Sequence, residues 1–461
     1  MRMLAPCLSW PPHRPSLVHV VTCITVLAAA CTASSAFGQP GYERNPINYT
    51  HAESHDPVAE LGRDLALGKV SLAFHPERGY LDALLDHLHV PASTQILVHS
   101  KTSLQRRYIS PETPRALYFN DETHIGWMPD GEVIEIAATD PQLGTVFYTL
   151  EQEESAKPTF VRDQGNCLTC HESSRTQSVP GLIVRSLLVN HRGQPFYGSG
   201  TYTIDHTSPF SQRWGGYYIT GTHGSMRHLG NLFASSKDSI NTINRDPGAN
   251  VTDITARIEE EKYLSPHSDL VAVMVLEHQS QMQNLIARAS YETRAAMHYD
   301  QQMSKALERP ADEPSELTLR RVSSVCEKLV RYMLFSCEVQ LTAPVQGTCS
   351  FVKEFSSAGK RDSQGRSLRD FDLQTRMFRF PCSYMIDSPL FQQLPELARQ
   401  RIAIRLKEIL QGEDTSKEFA HLTTTDRAAI LQMPPETQPN LEQAASSVES
   451  GTTDAAGQHH G

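Results

Sequence analysis

The sequence predicts an α+β protein whose first part is an antiparallel β-rich unit and whose last part is mainly helical. Three observations carry this. Short apolar runs separated by turn residues crowd the first third, long stretches with helical spacing fill the last half, and between them stands "GNCLTCHESS", residues 165–174.

The 461 residues suffice for two or three domains, and the composition, 39% hydrophobic and 20% charged, is that of an ordinary protein with a packed core. The opening reads as an export signal, residues 1–38. Arg2 and Arg14 form a basic flank, Leu17 to Ala30 is a mostly apolar stretch of signal-peptide length, and Ser34-Ser35-Ala36 supplies small residues for cleavage. Ala36-Phe37-Gly38 is a second cleavage choice. Lipidation at Cys31 after "LAAA" is an alternative, although Leu27 lies one residue too far away for the usual spacing. The expected location is periplasmic or secreted.

No later segment approaches the ~20 continuous apolar residues of a membrane helix, so no transmembrane segment is expected in the mature chain. The net charge is −10; removing the two arginines of the signal leaves 40 basic against 52 acidic residues. That excess disfavours nucleic acid and anionic membrane surfaces.

Residues 39–160 form the expected β-rich domain. The first twenty are polar and read as an extended arm, and "YLDALLDHLHV" (80–90) has helical spacing. "QILVHS", "RALYFN", "HIGWM", "VIEIAA" and "TVFYTL" read as strands of one antiparallel sheet, with a turn at "PDG" (129–131). Residues 161–250 carry the motif. After it, "LIVRSLLV" and "PFYGSGTYTI" flank "NHRGQ" as a hairpin, and "HTSPFSQRWGGYYITGTHGSMRHLGN" reads as ordered loop. Residues 251–433 form the helical part: a helix is expected over 253–309, where Pro310 stops it, another over 315–339, and the last in "ELARQRIAIRLKEIL" and "DRAAILQM". Residues 434–461 lack a hydrophobic face and are expected to be disordered.

Cys167, Cys170 and His171 form C-x-x-C-H. Two thiols three apart suit thioether bonds to the two vinyl groups of a haem, and the adjacent imidazole then lies below the iron as proximal ligand. Attachment of haem c takes place outside the cytoplasm, in agreement with the export signal. A zinc site would need more ligands at metal spacing, and the chain has no second C-x-x-C. A thioredoxin-type pair would sit in a βαβ unit, which these flanks do not resemble. Chance is the remaining reading. Glu172 is either a partner behind the proximal histidine or a solvated carboxylate.

The distal position decides much of the function. The candidates, in order, are His278, His223, His228 and Met226; His206 belongs to the same neighbourhood. Met274, His278 and Met282 repeat at i, i+4, i+8 with Val271 and Leu285, a stripe that as readily describes core. Phe210 and Arg213-Trp214-Gly215-Gly216 would either wall the haem, with Arg213 on a propionate, or form a stacked Arg–Trp pair. Cys326, Cys337, Cys349 and Cys382 complete the count of cysteines beyond the signal. Cys326 and Cys337 fall on one expected helix about 16 Å apart, too far to bridge. Each would pair, if at all, with Cys349 or Cys382; four separate thiols is the other reading.

The strings "SKTSLQ", "TPRALYFND", "EIAATDPQLGTVFYTL", "CLTCHESSRTQSVPG", "DHTSPFSQRWGGYYITGTHGSMRHLGN", "VLEHQSQMQNLI", "SLRDFDLQTRMFRFPCSYMIDS" and "FAHL", in this order over residues 101–433, resemble a family of large exported bacterial monohaem c-type proteins. The resemblance implies haem binding and electron transfer, with Cys167 and Cys170 as attachment residues and His171 as proximal ligand; extracytoplasmic redox partner proteins are then the expected partners. It implies no substrate and no distal ligand. A haem-dependent oxidoreductase and a non-redox haem-containing binding module are the alternative functions.

Overall fold

The computed structural model describes residues 40–235, 238–308 and 313–433. The expected signal, the cleavage site, Cys31 and the tail from residue 434 lie outside the described residues. The architecture is α+β, with an antiparallel sheet in the first third and helices in the last half. Among the described residues no helix is long and apolar enough to cross a membrane.

Six strands follow one another in a meander: β1 (Ile96–Val98), β2 (Arg115–Phe119), β3 (Thr123–Trp127), β4 (Val133–Asp140), β5 (Gly144–Glu151) and β6 (Val161–Arg162). Each pairs antiparallel with the next. The turn between β3 and β4 is closed by Gly131 N donating to Met128 O at 3.1 Å, with Asp130 at φ 58°. The register places Leu97, Ala116, Tyr118, Ile125, Trp127, Ile136, Tyr148 and Leu150 on one face, all buried. At about 25 cal/mol per Å² of apolar surface removed from water, this face is a principal source of stability.

Residues before the sheet cover that face and do not form an extended arm. Ile47 and Tyr49 are buried, and helix α1 (Pro57–Ala66) packs Val58 and Leu61 inward. The N-cap Asp56 accepts from Val58 N and Ala59 N at 2.9 and 3.0 Å and leads into Pro57 at the first helical position. Tyr49 donates to Thr145 O, and Arg162 donates to Ala52 O and Tyr49 O. Helix α2 (Leu81–His87) buries Leu81, Leu84 and Leu85 as its spacing predicts.

The motif forms a single turn, α3 (Leu168–His171). The expected hairpin is present as β7 (Arg185–Leu187) and β8 (Thr201–Thr203). The Gly-rich loop that follows is irregular and largely buried, and it reaches β9 (Gly221–Thr222), which pairs with β10 (Gln346–Gly347).

The long helix α4 spans Leu270–Ala306. It begins seventeen residues later than the sequence predicts. Residues 253–269 form short 3-10 turns that bury Ile254, Ile258 and Tyr263 in the sheet core, and Pro266 prevents their continuation into the helix. Asp269 then sets the start: Oδ1 accepts from Val271 N and Ala272 N, and Oδ2 from Thr348 N and Cys349 N. Four buried or half-buried amides thus depend on one carboxylate. Asp269→Ala is expected to cost about 2–3 kcal/mol in urea unfolding; a change under about 0.5 kcal/mol would refute this role.

Helix α5 (Glu316–Met333) ends six residues before the expected boundary, because Phe335 and Cys337 take left-handed backbone angles, φ 59° and 66°. Cys326 and Cys337 therefore do not share a helix. All four cysteines beyond the motif are unpaired thiols here: Cys326 and Cys382 buried, Cys349 half-buried, Cys337 exposed. Helices α6 (Phe351–Ser357), α7 (Pro389–Gln392), α8 (Glu396–Leu410) and α9 (Thr424–Gln432) complete the helical core around α4 and α5.

Candidate functional site

The C-x-x-C-H turn lies against the second face of the sheet. Asp163 Oδ2 accepts from Gly165 N at 2.8 Å and Cys167 N at 2.9 Å, which fixes the entry to the turn. Cys170 N and His171 N both donate to Cys167 O, so the two cysteines stand one turn apart on the same side. Cys167 is half-buried and Cys170 exposed. Burial, reinforced by Asp163 and Glu135, pushes the Cys167 thiol up to about 12.

His171 is half-buried and its ring stacks obliquely on Phe147 of β5 at 4.9 Å. Nδ1 is 2.9 Å from Gly181 O, and the Gly181 N–H donates back to His171 O, also at 2.9 Å. With Nδ1–H donated to a carbonyl, Nε2 is the nitrogen left with a lone pair, and it has no hydrogen-bond partner among the described residues. This arrangement behind the ring is the one that orients a metal-binding histidine. Burial lowers the imidazole below its ordinary value, which keeps it neutral as ligation requires.

The Gly181 carbonyl is itself held in place. Asn284 of α4 accepts from Leu182 N at 2.9 Å and donates to Leu182 O at 2.8 Å. A Cβ at residue 181 would fall 2.2 Å from Asn284 Oδ1, so glycine is required for this approach. Gly181 and Asn284 were not readable as positioning residues, because a contact over a hundred residues of chain leaves no local signal. Glu172 makes no hydrogen bond to His171 among the described residues; its N–H donates to Leu168 O.

The distal candidates occupy two places, both away from the turn in packing terms. Cys167 and Leu168 pack with the sheet core, whereas Met226, Phe210 and Trp214 pack with the helical core. His223 and His228 lie 4.7 Å apart, and Trp214 is 5.2 Å from His228. His223 Nε2 accepts from Asn250 N at 3.1 Å, while its Nδ1 is buried without a partner. His228 Nδ1 accepts from Gly230 N at 3.0 Å. His278 is fully buried: Nε2 is 2.8 Å from Ser383 Oγ, and Nδ1 is 2.8 Å from His206 Nδ1. Both nitrogens of His278 are thus engaged by protein groups. Met274, Met282, Val271 and Leu285 are buried in the helical core. The structure brings none of His278, His223, His228 or Met226 into a described contact with His171.

Arg213 is fully spent. Nη1 pairs with Glu277 Oε1 at 2.5 Å, Nη2 donates to His206 O at 3.0 Å, and Nε donates to Ser208 O at 2.7 Å. Trp214 Nε1 donates to the other oxygen of Glu277 at 3.1 Å. The guanidinium also lies over the Phe210 and Trp214 rings at 5.2 and 5.9 Å. Burial raises the Glu277 carboxyl above the ordinary carboxylate range, and the Arg213 guanidinium pulls it back. Gly215 lets the backbone pass over β7, where a Cβ would meet Leu187 O at 2.5 Å, and Gly216 turns at φ 88°.

Among the described residues no group of three or more His, Cys, Asp and Glu converges as a metal site. The C-x-x-C-H turn offers another donor set: two thiols on one side of a turn and one imidazole with an oriented, unpartnered Nε2. That set fits a haem, whose own four nitrogens fill the iron's equatorial positions and which needs one protein nitrogen below it. The chain matches no protein-family model, no curated protein and no solved structure.

Proposed function

We propose that this chain is an exported monohaem c-type protein that transfers electrons to and from extracytoplasmic redox partner proteins. The observation that carries this reading is the anchoring of His171 Nδ1 on Gly181 O, with Nε2 left unpartnered on the same turn as Cys167 and exposed Cys170. When bound, the haem supplies the one-electron chemistry. The chain's own part is to hold it. Cys167 and Cys170 would fasten it by thioethers, His171 would supply an iron ligand, and Gly181, Phe147 and Asn284 set the direction of the imidazole. Exposure of Cys170 supports an attachment edge at the surface, where a partner would approach.

A haem-dependent oxidoreductase is the second reading. It is favoured by a cavity of about 210 Å³ whose wall includes Ser174 and Arg175, directly after the motif.

Absorption spectra of the purified protein separate the two. Electron transfer alone predicts a six-coordinate low-spin spectrum in both oxidation states, unchanged by cyanide or carbon monoxide. A ligand-induced change would move the assignment to the oxidoreductase with an open iron. His171→Ala is expected to retain attached haem with an altered spectrum; an unaltered spectrum would remove His171 as proximal ligand.

A further inference from the structure

The same cavity has a charge pattern that the haem reading does not use. It lies between the turn after the motif, the β7–β8 hairpin and one face of α4. Leu182 and Ile204 give it apolar walls, Ser280 a hydroxyl, and Asp205, Glu277 and Arg175 its charged groups. The cavity, of about 210 Å³, has room for a small organic molecule.

Asp205 and Arg175 line one cavity yet make no ion pair with each other. Asp205 Oδ1 accepts from Thr207 N at 2.8 Å and Thr207 Oγ1 at 2.6 Å, and its Oδ2 takes no hydrogen bond among the described residues. The Arg175 guanidinium likewise makes no ion pair or hydrogen bond among the described residues. Glu277 stands in the same wall but is already paired with Arg213 and Trp214, so Asp205 is the carboxylate in this wall left to meet a cation. The wall is also strained. Gln177 in the wall and Ser178 beside it, neither of them glycine, take successive left-handed conformations at φ 60° and 55°, following the Ser173–Thr176 capping box. Strain of this kind costs on the order of 1 kcal/mol or more per residue and gathers at binding sites.

We propose that this cavity binds a small zwitterion of the α-amino-acid class, its ammonium group against Asp205 and its carboxylate against Arg175. The site stands whether or not haem is attached to the neighbouring turn. A ligand carrying both charges satisfies both unspent groups at once; a molecule with one charge satisfies one and leaves the other as it was.

Isothermal titration of the purified exported protein with glycine, L-alanine and L-serine, and separately with methylamine and acetate, tests this. At least one of the three amino acids is expected to bind saturably, and methylamine and acetate at least about tenfold more weakly. Asp205→Asn and Arg175→Gln should each weaken amino-acid binding by about tenfold or more, without lowering the melting temperature. Methylamine or acetate binding as tightly as the best amino acid, or no binding by any of the three, would overturn the proposal. So would two folded variants that bind like the wild type. The comparison of ligands on the wild-type protein decides the matter even if a variant misfolds.

Discussion

Lowering the pH from about 7 to about 5 should remove most of the folding stability of this protein. Burial holds His99, His228 and His278 near about 3 and His124 near about 4, and pushes His206 well below the ordinary imidazole value of 6.5. In the unfolded chain these five titrate normally. Between about pH 6.5 and about pH 4.5 the unfolded state therefore binds protons that the folded state refuses, and stability falls as pH falls. Burial lowers His171 and His223 in the same direction. Four buried carboxyls act the other way: burial raises Asp56, Glu122 and Glu277 and holds Glu338 at about 7, so the folded state keeps protons that the unfolded chain has released and acidification relieves them. Seven against four leaves a net uptake of about three protons on unfolding, or about 4 kcal/mol per pH unit. Over a unit and a half this is on the order of 6 kcal/mol, comparable with the whole stability of an ordinary domain. Urea unfolding followed by tryptophan fluorescence across this range checks it. A midpoint that stays constant from about pH 7 to about pH 5 would show that these imidazoles are not buried neutral.

Arg213→Met is expected to cost about 3 kcal/mol, and adding Glu277→Leu to recover most of it. The single change leaves a fully buried carboxyl with only the Trp214 N–H as partner and the Ser208 carbonyl unbonded, while the His206 carbonyl keeps the Val339 N–H. The double change removes the orphaned carboxyl and returns only the smaller loss of an acceptor for Trp214, about 1 kcal/mol. The recovery distinguishes a structural ion pair from an arginine held for a propionate, since the latter would show its loss in the haem spectrum. Thermal melts of the three proteins decide the energetic claim; equal stability of Arg213→Met and wild type would refute it.

Much of this fold was legible in the sequence where local chemistry dictates it. Five strands stand out as short apolar runs bounded by turn residues, and the meander follows from turns such as Pro129–Gly131. The hairpin around 190–194 was equally local, closed by Asn190 Oδ1 accepting from Arg192 N and Gln194 N. What was not legible depended on long-range packing. The segment before α1 reads as polar, yet Ile47 and Tyr49 are drawn into the sheet core by groups a hundred residues away, Thr145 O and Arg162. Helix formers such as Glu259–Glu261 suggested an earlier start for α4, but Ile254 and Tyr263 gain more by entering the sheet core, and Asp269 caps the helix later. At the candidate site the three residues of C-x-x-C-H announced themselves by spacing alone. Their supports, Gly181 and Asn284, did not, and neither did the engagement of His278 by His206 and Ser383.

Attachment of haem at Cys167 and Cys170 is the central claim, and the intact mass of the denatured protein tests it most directly. Expressed as the full chain, including the expected signal of residues 1–38, in a host that attaches haem outside the cytoplasm, the wild type should carry the mass of one haem after denaturation. The Cys167→Ser/Cys170→Ser protein should appear at the mass of the polypeptide alone. A wild-type protein without the added mass in that host, or a double variant that retains it, would contradict the account.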